Sequence, residues 1–270
     1  MKRPISSLNP LFYFIILKLR RCERYIKWWN KRKKLSKTIS NDKLNFRVYK
    51  HQSVLIRKLG DTDLNLQYNK VKNLKIAVKN INGIIIKPGE IFSFWYLVGC
   101  PTRKKGYLEG MLLSEGEAVS GIGGGLCQIV NLIHWLCLHS PLTVIERHHH
   151  SYDPFPDSGR VVPFGSGAGV FYNYIDYQFK NETDYIFQLS FWFDEKYING
   201  DLRVNIELPY KYHVFEKDHH FIKIENSFYR RNELWREKYD KKSGEMIETE
   251  MLQKNNALAK YAPDEYVVEV

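Results

Sequence analysis

At 270 residues, with 44% hydrophobic and 14% aromatic content, the chain can bury one large core or two small ones, which excludes wholesale disorder. The net charge of +11 is uneven: Met1 to Lys58 holds 17 Lys+Arg against 2 acidic residues, net +15, while the remaining 24 basic and 28 acidic residues net −4. The body is therefore mildly acidic, and with no RNP, zinc-finger or helix-turn-helix signature no nucleic-acid partner is expected. Cys22, Cys100, Cys127 and Cys137 are too few and too irregularly spaced for a disulfide framework, and no CxxC pair exists, so free thiols in a reducing compartment are expected.

Taken in chain order, Pro10 to Leu17 is apolar but far shorter than the roughly 20 residues of a membrane span. Lys18, Arg20, Arg21 and Arg24 follow at once, so neither a signal peptide nor a transmembrane helix is expected. A helix is predicted from Leu11 to Leu35, carrying Tyr25, Ile26, Trp28 and Trp29 among basic residues. Two readings stand for it: it lies on an anionic membrane surface, or its aromatic face packs on the body and its charges are solvated. The expected location is cytoplasmic, with peripheral membrane contact through this segment.

In the body, Asn69 to Gly83 places Val71, Leu74, Ala77, Val78 and Ile81 at helical spacing with Lys70, Lys72, Lys75 and Lys79 opposite. Ile84 to Ile86 reads as a strand, Pro88-Gly89 as a turn, and Glu90 to Val98 as a strand or helix start. Leu126 to Leu138 is almost uniformly apolar, which predicts a buried helix ended by Pro141, and the glycine loop Gly121 to Gly125 precedes it. On that helix Cys127, Asn131 and His134 share one face. Leu142 to Ile145, Tyr174 to Phe179, Ile186 to Phe193 and Leu202 to Leu208 read as strands, with turns at Asn181-Glu182 and Asn199-Gly200. A hairpin is predicted around Lys242-Ser243-Gly244. The fold class is α+β: buried helices, one headed by the glycine loop and Cys127, on an antiparallel sheet with a C-terminal hairpin. Three segments are expected: 1–58 basic and helical, 59–212 the main domain, and 213–270 a hairpin extension packed on it.

A thiol at a helix start sits where backbone N–H groups favour the thiolate, which lowers its pKa. Glu146 to Ser151 (ERHHHS) supplies imidazoles, and His148 and His150 would share one side of a strand facing Cys127. The amides of Gly123, Gly124 and Gly125 could then serve as an oxyanion hole, in an arrangement like that of papain-like hydrolases. Alternatively Cys127, His148 and His150 bind zinc, or the histidines are structural.

Gly89 to Phe94 (GEIFSF), Gly123 to Gln128 (GGGLCQ), Glu146-Arg147-His148-x-His150 and Asp176 to Asn181 (DYQFKN) together resemble the signature of the VanW family. The likeness runs over roughly Val71 to Gly200. It implies an accessory protein linked to peptidoglycan or glycopeptide (vancomycin) resistance and does not fix an activity. Joined to the thiol and imidazoles read above, the leading expectation is that Cys127 with His148 or His150 acts on a cell-wall peptide or its precursor. Gly123, Gly124, Gly125 and Gln128 would line the ligand site, and Arg147 would pair with a substrate carboxylate. A non-catalytic ligand- or partner-binding module is the alternative, and no cofactor is expected. Where the family pattern has an acidic residue after the histidines this chain has Gly167, which leaves Asp153 or Asp176 to take its place.

Overall fold

The computed structural model describes residues 10–57, 63–114, 117–149, 152–157 and 161–268. In chain order the elements are α1 (Pro10–Lys31), β1 (Phe46–Val54), α2 (Leu64–Val78), β2 (Ile84–Ile86), β3 (Ile91–Ser93), α3 (Phe94–Val98), β4 (Glu109–Ser114), β5 (Glu117–Ile122) and α4 (Cys127–Leu138). Then come β6 (Thr143–Glu146), β7 (Tyr152–Asp153), β8 (Gln178–Lys180), β9 (Phe187–Phe193), β10 (Tyr197–Val204), β11 (Tyr210–Ile224), β12 (Ser227–Asp240), β13 (Met246–Ala259) and β14 (Val267–Val268). The fold is α+β.

The central sheet is antiparallel in the order β1-β10-β9-β2. Strand β1 lies inside the segment 1–58 that its charge and aromatics mark as helical, and pairs Phe46 through Val54 with Val204 through Tyr197. Helix α4 lies across β1 and β10. Its apolar residues are buried on nearly every side, as its composition demands, with Ile129, Val130, Ile133 and Leu136 fully enclosed. A second antiparallel sheet, β3-β8-β6, stacks Phe92 on Phe179 at 4.8 Å.

Asn199-Gly200 is not a turn but sits inside β10, opposite Trp192 and Phe191. Leu132 and Leu136 of α4 press on Gly200 so closely that a Cβ there would lie 3.0 Å from each. The glycine is a packing requirement, and the actual turn is at Asp194, whose carboxylate accepts from the N–H groups of Lys196 and Tyr197.

At the C-terminus the predicted hairpin pairs β12 with β13 around Lys242-Ser243-Gly244, where Asp240 accepts from the amides of Lys242 and Ser243. It is part of a larger sheet, β14-β11-β12-β13-β7, whose outer pairings are parallel. This sheet grips α4: Arg236 of β12 donates to the carbonyls of Leu138 and Ser140, satisfying orphan acceptors beyond the helix end. Beside it Trp135 and Leu138 pack with Val214.

Helix α1 docks through Leu17, Arg21, Arg24 and Trp28, at spacings of 4, 3 and 4 residues. Arg24 forks onto both oxygens of Glu146 and lies 4.0 Å from the Asp176 carboxylate. Trp28 donates to Ser93, which donates to Asp176; the amide of Trp95 and the side chain of Gln178 complete the shell. Burial pushes the Asp176 carboxyl above its ordinary pKa, and these donors and Arg24 pull it back. Replacing the guanidinium alone leaves two acids in a half-buried cluster without their cation. Arg24→Met is expected to cost about 3 kcal/mol in urea unfolding, and an unchanged midpoint would show that the pair holds nothing.

Candidate functional site

The glycine loop between β5 and α4 is shaped by crowding. Gly124 crosses Gly110 of β4 backbone to backbone, and a Cβ on Gly124 would sit 2.1 Å from the Gly110 carbonyl. Asn73 of α2, fully buried, fixes the crossing. Its Nδ2 donates to the carbonyls of Leu108 and Gly124 at 3.0 Å each, and its Oδ1 accepts from Leu108 N–H at 2.8 Å. Gly125 has φ +88 and lies against the stem of Lys70, whose Cγ would be 2.2 Å from an added Cβ. The loop's amides are largely committed: Gly123 N–H donates to Leu108 and Gly124 N–H to Gly121. The oxyanion-hole geometry expected of three glycine amides is therefore not present at Gly123 and Gly124.

Cys127 is the first residue of α4, as its place after the glycines predicts. Burial pushes its thiol above the ordinary value; the N–H groups of Val170 and of Cys127 itself pull it down by less. The helix start does not produce the depressed thiol that the sequence suggests, because desolvation of the sulfur outweighs the local N–H donors.

The thiol stands on the wall of a cavity of about 340 Å³, within the range of small-molecule sites. Distant parts of the chain build it, among them Ser53 and Val54 at the end of β1, Lys70 of α2, the start of α4 through Asn131, and Asn255 to Ala257 of β13. Phe155, Pro163, Phe164 and Phe171 supply apolar surface. Cys127 also borders a second cavity of about 230 Å³, which reaches Tyr13, Leu17 and Arg21 of α1 and contains Cys100.

Of the residues marked by the sequence, Cys127, Gln128 and Gly125 line the first cavity. Gln128 Nε2 donates to Ser53 Oγ at 2.9 Å and to the Val54 carbonyl at 2.7 Å, while its buried Oε1 has no hydrogen-bond partner among the described residues. Gly123 borders the second cavity only, and Gly124 is enclosed by Asn73 and Gly110. Strand β6 ends at Glu146, so its alternation does not extend to His148 and His149. His148 bridges Gly169, its Nε2 lies 3.6 Å from Glu146 Oε1, and it does not line the cavity. His149 does, with its imidazole pushed down by burial and by Arg147 and His148. His150 lies outside the described residues. Among the described residues no side-chain hydrogen bond joins the Cys127 thiol to a histidine, and no group of three His, Cys, Asp or Glu is placed to hold a metal.

Arg147 is not among the residues that line the cavity: its guanidinium donates to the carbonyls of Gly165 and Gly167 and to Gln253. It clasps the 165–167 loop to β13. Gly167 lies against Asn131, whose Oδ1 would be 3.1 Å from an added Cβ and accepts from Ala168 N–H. An acidic side chain at 167 would crowd that contact. Asp153 is held by Arg230 and Tyr261, and Asp176 belongs to the α1 cluster, so both carboxylates serve structural partners.

The residue missed by the sequence is Lys70. Its place among Lys72, Lys75 and Lys79 suggested a solvated face, but α2 buries Gln67, Lys70 and Asn73 beside Leu74 and Ala77. The ammonium donates to Gln67 Oε1 at 2.6 Å, and burial, then Arg57, lowers its pKa from 10.5 to about 8. A lysine with a depressed folded-state pKa binds fewer protons folded than unfolded between about 8 and 10.5, so stability rises with pH across that window. Lys70→Met is expected to abolish that rise in denaturant midpoints measured from pH 7.5 to 10.5; a slope identical to the parent's would contradict it. The thiols offer an internal comparison, since Cys22 is exposed and burial pushes Cys137 up to about 12. With iodoacetamide near pH 7.5, Cys22 is expected to alkylate first, Cys127 more slowly and Cys137 only on unfolding, as read by peptide mass spectrometry. Cys127 reacting faster than Cys22 would show an activated thiol instead.

Residues 69–203 match the family model described as VanW like protein. The chain is 30% identical over 232 residues to the vancomycin B-type resistance protein VanW of Enterococcus faecalis (strain ATCC 700802 / V583), covering 86% of this chain and 84% of that protein. It is 32% identical over 110 residues to the uncharacterized protein YoaR of Bacillus subtilis (strain 168), covering 41% of this chain and 35% of that one. No solved structure matches the chain. By the extent of these matches, and by the GGGLCQ loop whose geometry is described above, this chain is a member of the VanW family.

Proposed function

We propose that the protein is an accessory factor linked to glycopeptide resistance, and that it binds a peptidoglycan-related peptide or precursor in the cavity bordered by Cys127. The observation that carries the reading is the lone acceptor of Gln128. A buried carbonyl oxygen without a donor costs about 1–3 kcal/mol, and a ligand N–H that reaches it from the cavity lined by Gln128 would remove that cost. Peptide amides supply such a donor, and Lys70 on the same wall offers a cation to a peptide carboxylate. The phenylalanines and prolines around them suit an extended chain of small side chains. The link to resistance comes from the Enterococcus relative, whose name records it.

A second reading, catalysis, is favoured by Lys70. An amine titrating at about 8 is partly neutral near physiological pH and opens on the same cavity as Cys127. In this reading neutral Lys70 takes the thiol proton as sulfur adds to a bound peptide carbonyl carbon and the C=O π pair moves to oxygen. Collapse then expels the amine, which takes that proton from Lys70, and water later releases the acyl group, with Lys70 in the place given by the sequence to His148 or His150.

Calorimetry with free stem peptide and with nucleotide-linked muramyl peptide tests the first reading. Binding that weakens about tenfold or more in Gln128→Leu and in Lys70→Met is the expected result. Affinity unchanged in both variants, or no binding to any peptidoglycan peptide, would overturn it. Mass spectrometry of the same mixtures tests the second: a covalent adduct or product lost in Cys127→Ala supports catalysis, and an unaltered peptide removes it.

A further inference from the structure

The outer face of α1 is the largest feature that the cavity leaves unexplained. Ile15, Leu19, Cys22, Ile26 and Trp29 recur at spacings of 4, 3, 4 and 3 residues. At 100° per residue they form a ridge roughly opposite the docked row of Leu17, Arg21, Arg24 and Trp28. The helix therefore has two contact faces, of which the body occupies one. The ridge is not a marginal exposure: Leu19 is 64%, Ile26 61% and Trp29 66% exposed. Leu11 and Phe12 extend it toward the helix start, so that the stripe from Leu11 to Trp29 is about 27 Å long. An apolar strip of this length left in water marks an interaction surface.

Its borders say what covers it. Lys18 lies on one flank and Arg20, Lys27 and Lys31 on the other, with Glu23 as the helix's only acid. Lys27 pairs with Glu23, and the remaining cations keep a strong positive excess. Self-association through this ridge would bring two sets of like charges together, since both flanks carry lysine or arginine. No helix among the described residues is long and apolar enough to cross a bilayer. Basic flanks beside aromatic and aliphatic side chains match the boundary of an anionic bilayer, where apolar groups enter the acyl region and ammonium groups meet phosphates.

We propose that α1 is a membrane-docking helix that seats its Ile15–Trp29 ridge in an anionic lipid surface while its Arg24 face stays locked to the body. The helix then lies flat between bilayer and body, and the second cavity, which starts at Tyr13 and Leu17, opens beside the lipid plane. This surface is independent of what the main cavity binds.

Co-sedimentation of the full chain with vesicles tests it, comparing pure phosphatidylcholine with phosphatidylcholine mixed with phosphatidylglycerol. Expected are binding to the mixed vesicles, loss of that binding in high salt, and little binding to the neutral ones. The double variant Leu19→Glu, Ile26→Glu should weaken binding about tenfold or more, while circular dichroism and the unfolding midpoint stay near the parent's, because both side chains point away from the body. A second double variant, Lys18→Gln with Lys27→Gln, should weaken it only at low salt. No sedimentation with anionic vesicles, or binding unaltered by the Leu19→Glu, Ile26→Glu pair, overturns the proposal. So does a stable dimer in analytical ultracentrifugation that the same pair dissolves, since the ridge would then belong to a second copy.

Discussion

The site depends on one backbone crossing. Gly124 and Gly110 meet with no room for a side chain on either, and Asn73 holds the meeting point by bonding to the loop and to Leu108 together. Everything downstream inherits its position from this contact. The loop enters α4 at Leu126, Cys127 becomes the first helical residue, and Gly125 presses on Lys70. A three-glycine run is thus explained by packing and left-handed backbone as much as by flexibility. Two buried polar side chains of α2, Asn73 and Lys70, then work as a pair. One fixes the loop, the other brings an amine into the cavity that the loop walls.

The cavity is a joint product of distant parts of the chain. Residues from β1, α2, the α4 start and β13 face one space, and Arg147 keeps the 165–167 loop in register with β13 at Gln253. Arg236 capping α4 ties the C-terminal sheet to the same helix that carries the thiol. The family match covers residues 69–203, yet two walls of the site, at Ser53-Val54 and at Asn255 to Ala257, lie outside that stretch. Cys127 borders both this space and the smaller cavity leading to α1, so the thiol stands between the two.

Much of this was legible in the sequence. Helix α4 announced itself through uniform apolarity after glycines, β9 through its run of Phe, Leu and Trp, and the C-terminal hairpin through Lys242-Ser243-Gly244. The family signature pointed at Cys127 and Gln128, and both line the cavity. What stayed hidden was polar burial. Lys70, Gln67 and Asn73 carry no hydrophobic signal, so periodicity assigned Lys70 to the wet face. Gly200 looked like a turn because its reason, Leu132 and Leu136 overhead, lies nearly 70 residues away along the chain. Strand β1 was masked by the charge around it. His148 follows no strand alternation once β6 stops at Glu146, and it is His149 that lines the cavity, while His150 lies outside the described residues.

The central claim is that the space bordered by Cys127, Gln128 and Lys70 receives a peptide. The most direct measurement is an amide ¹H–¹⁵N spectrum of the labelled protein titrated with peptidoglycan stem peptide. The account predicts shifts concentrated at Gly125 to Asn131 and at Asn255 to Ala257, two walls more than 120 residues apart in the sequence. A titration that leaves both segments unmoved, or that moves only the outer faces of α1 and the C-terminal sheet, would contradict it.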